Sequence, residues 1–284
     1  MRKFLIVLLG LGMGYSLFTL ALWRSTDGFC LAHIQSDLTP SSQWEVKDQD
    51  DRELRQLISQ HFYYLGKGSQ CYVFESEDRD VVLKFFRYPR YRLNPKTHFI
   101  HSPAFLVEIQ NQKKEKKEEK LKTLFTSCLL AQQKLKEETG LVYLHLNKTT
   151  HLKQKVILHD KLNRTLSIDI DNYEFIVQKR GVQIYPYLSS LLADGKRSEA
   201  KQALESLATL LKRRIQKGIA DSDAVIHKNS GFRGEKAFFL DVGGFKTIST
   251  GDADENLEKT THQLRSWLRK RDLGLATELD HLLR

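Results

Sequence analysis

Cysteine and proline are scarce. Three cysteines in 284 residues, at positions 30, 71 and 128, cannot build a disulfide framework. No Cys-x-x-Cys or His–Cys spacing forms a zinc site. Three of the five prolines (Pro89, Pro95, Pro103) fall within residues 87–103, which reads as an irregular loop. No segment repeats, which excludes solenoids and propellers. At 40% hydrophobic and 28% charged, the composition excludes wholesale disorder and a polytopic membrane protein. Acid is in deficit: Lys+Arg 45 against Asp+Glu 35 gives +10. That balance favours an anionic partner, whether nucleotide phosphate, nucleic acid or acidic lipid.

Charge is missing altogether from Phe4 to Trp23, a run preceded by Arg2 and Lys3 and followed by Arg24. About 20 apolar residues let a helix cross the hydrocarbon core, whereas a signal peptide needs roughly 7–15. The run therefore predicts a single-pass anchor over residues 1–24, in contact with the lipid bilayer through residues 4–23. A cleaved signal peptide is the alternative, with Thr19-Leu20-Ala21 as a small-x-small site. The basic residues before the run place the N-terminus in the cytoplasm and the body outside.

Residues 25–50 are polar and read as a linker. Residues 51–178 then alternate apolar runs with turns. Strands are predicted at 62–65 and 71–74 around Gly66-Lys67-Gly68-Ser69, and at 81–86 after Glu77-Asp78-Arg79-Asp80. A helix follows from about Lys113 to Glu138, stopped by Gly140, with Leu121, Leu124, Phe125, Cys128 and Leu135 as its buried stripe. The charges of 113–122 alternate in sign, which fits a solvated helix face better than a nucleic-acid stripe. Further strands are predicted at 141–146, 155–158 and 173–177. Residues 179–284 turn helical, at 187–192, 198–217 and 256–284, with one short strand at 238–240. The expected class is α+β, in two lobes.

Four pieces of this text suit phosphate chemistry. Gly66 and Gly68 in a hairpin let backbone N–H groups approach an anion without Cβ interference. Lys84 interrupts an otherwise apolar strand. The polar loop Ala220-Asp221-Ser222-Asp223-Ala224-Val225-Ile226-His227-Lys228-Asn229 offers two carboxylates and an amide. Asp241 follows Phe238-Phe239-Leu240 and precedes Val242-Gly243, where a carboxylate can hold a metal at a loop mouth.

In this order, glycine hairpin, strand lysine, long helix, Asp…Asn loop and strand-Asp-x-Gly, residues 60–250 resemble the protein-kinase-like superfamily. The text Glu137-Glu138-Thr139-Gly140-Leu141-Val142-Tyr143-Leu144-His145-Leu146-Asn147-Lys148, with Leu240-Asp241-Val242-Gly243, resembles more closely a group of membrane-anchored kinase-like proteins of obligate intracellular bacteria. That closer resemblance brings no activity with it and implies a bacterial inner membrane. The superfamily resemblance implies a two-lobed kinase-like fold, with a β-rich N-lobe over 51–178 holding one long helix and a reduced helical C-lobe over 179–284. It also implies ATP and Mg²⁺ as cofactors. Gly66, Gly68 and Val73 would cover the nucleotide, and Lys84 would pair its phosphates. Glu118, by periodicity, would be the lysine's helix partner. Gln178 would open the hinge beside adenine, and Asn229 and Asp241 would hold the metal. Asp223, which needs one inserted residue, is preferred slightly over Asp221 to accept the proton of the substrate hydroxyl, and Asp221 would instead orient the loop.

The sequence departs from the pattern in three places. Cys71 stands where a third glycine is usual. Asp223 precedes Asn229 by six residues rather than five, with no His-Arg-Asp triplet. Only about 40 residues follow Gly243, too few for a full helical lobe. Two functions stay open: a phosphotransferase moving the γ-phosphate of ATP to an unidentified hydroxyl, and a catalytically inactive nucleotide-binding or interaction scaffold at a membrane. A body outside the cytoplasm, where ATP is scarce, bears on the first. A third reading ignores the resemblance and lets Arg87, Arg90, Arg92, Lys96 and Lys212-Arg213-Arg214 bind acidic lipid or nucleic acid. Nucleic acid is the partner not expected.

Overall fold

The computed structural model describes residues 2–93, 104–223, 225–248 and 253–284, with main chain alone at residues 2, 3, 5–9 and 104–106. Lys96, Pro95 and Pro103 lie outside the described residues, as does Ala224 within the candidate loop. In chain order the elements begin with helices α1 (Arg2–Ser25), α2 (Leu31–Ile34) and α3 (Asp51–Leu57), then strands β1 (His61–Lys67), β2 (Cys71–Ser76) and β3 (Val81–Phe86). Helices α4 (Ala104–Lys134) and α5 (Lys136–Thr139) lead to β4 (Leu141–His145), β5 (Lys155–His159), β6 (Thr165–Asp169), β7 (Phe175–Lys179) and β8 (Val182–Gln183). Next come α6 (Ile184–Ala193), α7 (Arg197–Gln216), β9 (Ile219–Asp221), α8 (Ile226–Asn229), β10 (Ser230–Arg233), β11 (Lys236–Phe239) and β12 (Phe245–Thr247). Helices α9 (Ala253–Arg269) and α10 (Leu273–Leu282) close the chain.

These elements form two compact units, each discontinuous in sequence: Met1–Phe99 with His145–Ile176, and Ile100–Leu144 with Val177–Arg284. The long helix α4, expected with the β-rich half, thus belongs to the helical unit.

The first unit is built on a mixed sheet in the order β3-β2-β1-β5-β6. Strands β1 and β5 run parallel, and the other pairs run antiparallel. Phe62, Phe74, Leu83, Phe85, Val156 and Leu158 are fully buried along it. Residues 25–50 are not the expected linker. Phe29 and Ile34 are buried, and the Phe29 ring packs edge-on against Tyr72 and Phe74. The Tyr72 hydroxyl donates to the Gly28 carbonyl at 2.7 Å. Further along, Ser36 Oγ and the Tyr88 hydroxyl donate to the two oxygens of the buried Glu174 carboxylate, at 2.6 and 2.8 Å. A polar stretch is therefore held down by a few widely spaced apolar side chains and by one buried carboxylate.

Helix α1 is continuous over the charge-free run. The expected span falls partly on residues whose side chains are outside the described set. Among the described residues, no helix is long and apolar enough to cross a membrane.

In the second unit, α7 turns Ala203, Leu204, Leu207 and Leu211 inward, matching the expected face. Leu121, Leu124, Phe125 and Cys128 of α4 are buried, as their spacing predicts. Gly140, at φ +59, supplies the left-handed residue that ends α5. Residues 230–239, read partly as loop, are instead a hairpin. Arg233 pairs with Lys236 across a two-residue turn that opens on Gly234 at φ +56.

Candidate functional site

In the first unit, three of the expected residues lie in register on neighbouring strands. Gly66 of β1 opposes Val73 of β2, which opposes Lys84 of β3. A bulge between Tyr64 and Gly66 creates this row, because it moves Gly66 one place along the ladder. Paired residues share a sheet face, so Val73 and Lys84 point the same way. Lys84 is the one member of β3 that is not buried. Gly68 behaves differently from expectation: its N–H donates to the Cys71 carbonyl at 2.9 Å and closes the hairpin. The carbonyl of Gly68 accepts from the Arg87 guanidinium at 2.6 Å.

In the second unit, the hairpin of β10 and β11 returns the chain to the loop it left. The main-chain carbonyl of Asn229 accepts the N–H groups of both Leu240 and Asp241, at 2.7 and 3.1 Å. The two residues expected to hold a metal thus leave a single junction. Asn229 is buried, and its Nδ2 donates to the Asp223 carbonyl at 3.4 Å, which leaves Oδ1 as an oxygen donor. Asp241 Oδ1 accepts the Gly243 N–H at 2.9 Å, which fixes the carboxylate over the turn that follows. Ser127 of α4 clamps that turn: it donates to the Val242 carbonyl at 2.5 Å and accepts the Phe245 N–H at 2.7 Å.

The two candidate bases differ sharply. Asp223 is exposed. Asp221 is 6% exposed, and its Oδ1 accepts the Asp223 N–H at 2.9 Å. A Cβ at Gly244 would collide with that oxygen, so only glycine fits opposite it. Burial pushes the Asp221 carboxyl up to about 6. The Asp223 N–H and the Arg214 charge oppose the rise, and the Asp241 and Asp223 carboxylates add to it. Arg214 is fully buried. It stands 4.0 Å from Asp221 Oδ2 and donates to Asn256 Oδ1 of α9 at 2.7 Å. Asn256 Nδ2 in turn donates to the Asp221 carbonyl at 2.9 Å. Sequence reasoning passed over Asn256 and Ser127, and it set Arg214 with Lys212 and Arg213 as a surface cation for acidic lipid or nucleic acid, whereas its side chain is fully buried. The only signal for Arg214 was a cation lying on the apolar face of α7, one residue before Ile215.

Two expected residues are placed otherwise. Glu118 is solvent-exposed and pairs with Lys114 on its own helix at 3.7 Å, a surface i,i+4 pair. Gln178 is fully buried, and its Nε2 donates to the Thr139 and Phe239 carbonyls, at 2.5 and 2.7 Å. Its amide nitrogen ties β7 to the end of β11, and its Oε1 is buried with no hydrogen-bond partner among the described residues. His227 stacks flat on Tyr185 with ring centroids 4.2 Å apart, and burial lowers its pKa.

Two solved structures of WbdD are similar to this chain. A high-resolution crystal structure of WbdD shares 17% identity over 78% of this chain and 37% of its own, with a TM-score of 0.34. A co-crystal structure of WbdD with the kinase inhibitor LY294002 shares 17% identity over 74% and 35%, with a TM-score of 0.32. The chain spans little more than a third of the length of either. No family model matches the chain, and no curated protein does.

Among the described residues no group of three or more His, Cys, Asp or Glu side chains could hold a metal ion. The oxygen donors at the Asn229–Asp241 junction are one carboxylate and one amide. Mg²⁺ asks no more of a protein when phosphate oxygens and water complete its octahedron. The donor chemistry therefore suits a phosphate-bound Mg²⁺ and does not suit a fully protein-caged metal.

Proposed function

We propose that the chain is an atypical kinase-like phosphotransferase, anchored in a membrane by α1, that moves the γ-phosphate of ATP to a hydroxyl acceptor. The observation that supports it most is the junction at Asn229, where one carbonyl gathers the N–H groups of Leu240 and Asp241. Asp241 and Asn229 would hold a divalent cation, whose positive charge would offset the charge that develops on the phosphates in transfer. Lys84, in the row with Gly66 and Val73, would serve a nucleotide phosphate as a point charge. Asp223, exposed beside this junction, suits the proton-accepting role. Asp221 organises the loop by receiving the Asp223 N–H.

Thermal melting of the full chain with ATP and Mg²⁺ tests the reading, beside Lys84→Ala and Asp241→Ala. A ligand at about 100 times its Kd adds about 2.7 kcal/mol to the folded state. A rise in the wild type that both variants lose is the expected result. Absence of a rise in a folded protein removes the enzyme. The inactive scaffold would then stand, a reading favoured by one observation: the Gly68 N–H, which should face phosphate, is spent on the Cys71 carbonyl.

A further inference from the structure

We infer that the rim of the first unit, where α1 joins the sheet, is a docking surface for anionic lipid headgroups; this rests on the reading of α1 as a membrane anchor. The described side chains of α1 are exposed along its length, Leu11, Met13, Leu17 and Phe18 each by 60% or more. The apolar run ends at Trp23, which is half exposed, and at Arg24. Trp at the end of a span and a basic residue just beyond it are what a membrane–water interface selects.

The fold then gathers charge from distant sequence to that same end. Lys67 lies over the Trp23 ring at 4.6 Å and donates to the Asp27 carbonyl at 2.7 Å. Lys161, from the β5–β6 turn, reaches Asp27 Oδ2 at 3.1 Å. Arg87 and Arg90 donate to the Gly68 and Ser69 carbonyls, at 2.6 and 3.4 Å, immediately beyond Lys67. Among the described residues Lys161 pairs with the Asp27 carboxylate, which also feels the Lys67 charge. Arg87 and Arg90 are held by neutral carbonyls and, for Arg87, by the Tyr72 ring, so their charge remains available to a phosphate. Two large apolar side chains flank the cations: Leu65 is 51% exposed and Leu162 45% exposed. Exposed leucines set among lysines and arginines suit a surface that sits in headgroups and touches acyl chains.

The junction with α1 is stiff. Gly28, at φ +72, lies so close beneath Trp23 that a Cβ there would stand 2.5 Å from the indole nitrogen. Tyr72 holds the Gly28 carbonyl, and Phe29 is buried beside it. The anchor therefore leaves the sheet in one direction, and that direction brings Lys67 and the glycine turn to the bilayer.

The test reconstitutes the full chain in vesicles of brominated phosphatidylcholine, with and without phosphatidylglycerol, and carries Leu162→Trp as a probe. Emission added by the probe should be quenched in the anionic vesicles and much less in the zwitterionic ones. Each cation near an anionic leaflet strengthens association about fivefold, so Lys67→Glu with Arg90→Glu should weaken docking by about 25-fold or more. Raising salt should release the unsubstituted surface in the same way. A chain that floats with anionic vesicles while the probe stays unquenched overturns the surface and leaves the anchor standing. Equal quenching in both lipids overturns the anionic recognition. A chain that does not float at all overturns the anchor, and the surface with it.

Discussion

Asp221→Asn should stabilise the protein at neutral and alkaline pH. The carboxylate is buried, and its counter-charge is poorly placed. Arg214 NH1 is 4.0 Å away, and neither NH1 nor Nε of that arginine has a hydrogen-bond partner among the described residues. Attraction at that separation does not repay desolvation of both ions. The carboxyl therefore rises from its ordinary 3.8 to about 6. That difference corresponds to about 3 kcal/mol. Its sign follows from linkage. The folded state binds this proton more tightly than the unfolded state, so the stabilisation is complete below about pH 4 and is lost as pH rises through about 6. Asparagine imitates the protonated acid and still accepts the Asp223 N–H. Wild type and Asp221→Asn should unfold alike near pH 4 and differ by about 3 kcal/mol above pH 7, with the variant the more stable. Urea denaturation of the detergent-solubilised full chain, measured at both pH values, gives the difference directly. Two parallel stability curves, or a variant less stable at high pH, would refute the reasoning and show that Arg214 compensates the charge after all.

Two further outcomes follow from the same hydrogen-bond accounting. Ser127→Ala strands the Val242 carbonyl and the Phe245 N–H; it should cost about 3 kcal/mol and also shrink any melting response to ATP and Mg²⁺, since the turn carrying Asp241 loses its clamp. Tyr88→Phe removes one donor from Glu174, whose carboxyl burial already raises; the variant should lose about 1–3 kcal/mol at neutral pH and recover as pH falls and Glu174 takes up a proton, which denaturation at the two pH values will show.

The helices and the first hairpin were legible because each shows a period. The stripe of α4 and the inward face of α7 are plain in the text, and Gly140 ends its helix as its position suggests. Strand β6 was missed for the converse reason. It lies at the edge of the sheet, and although Leu166 and Ile168 alternate with polar residues, only Ile168 of the five is buried, so the period is just two apolar residues long. Residues 25–50 were read as linker because composition averages over a window. What holds that segment is a pair of isolated side chains, Phe29 and Ile34, and a serine hydroxyl on a buried carboxylate. Glu118 was misplaced by carrying the stripe beyond its cover: periodicity names a buried face only where something packs on it, and no described residue of α4 before Leu121 is buried.

The candidate site divides along the same line. Residue types could be read: a lysine in a strand, two aspartates and an asparagine in a polar loop, an aspartate before glycine. What joins the loop to Asp241 could not, because the decisive bonds are made by main chain. Asn229 meets Asp241 through a peptide carbonyl, and the eleven residues between them return because Gly231 lets β10 lie against the Val182 carbonyl, where a Cβ would collide. Asp221 is set against Gly244 in the same manner. Backbone contacts leave no residue-type signature except the glycines that permit them. The supporting side chains, Arg214, Asn256 and Ser127, act on that backbone from α7, α9 and α4, and each is individually unremarkable in sequence. Burying Arg214 and Asp221 without a good bond between them costs stability, and the loop retains both. Under the phosphotransferase reading proposed above, the loop would bear that cost beside an exposed carboxylate and a pair of oxygen donors for the sake of its chemistry. That is why the sign of the Asp221→Asn effect bears on function as well as on stability.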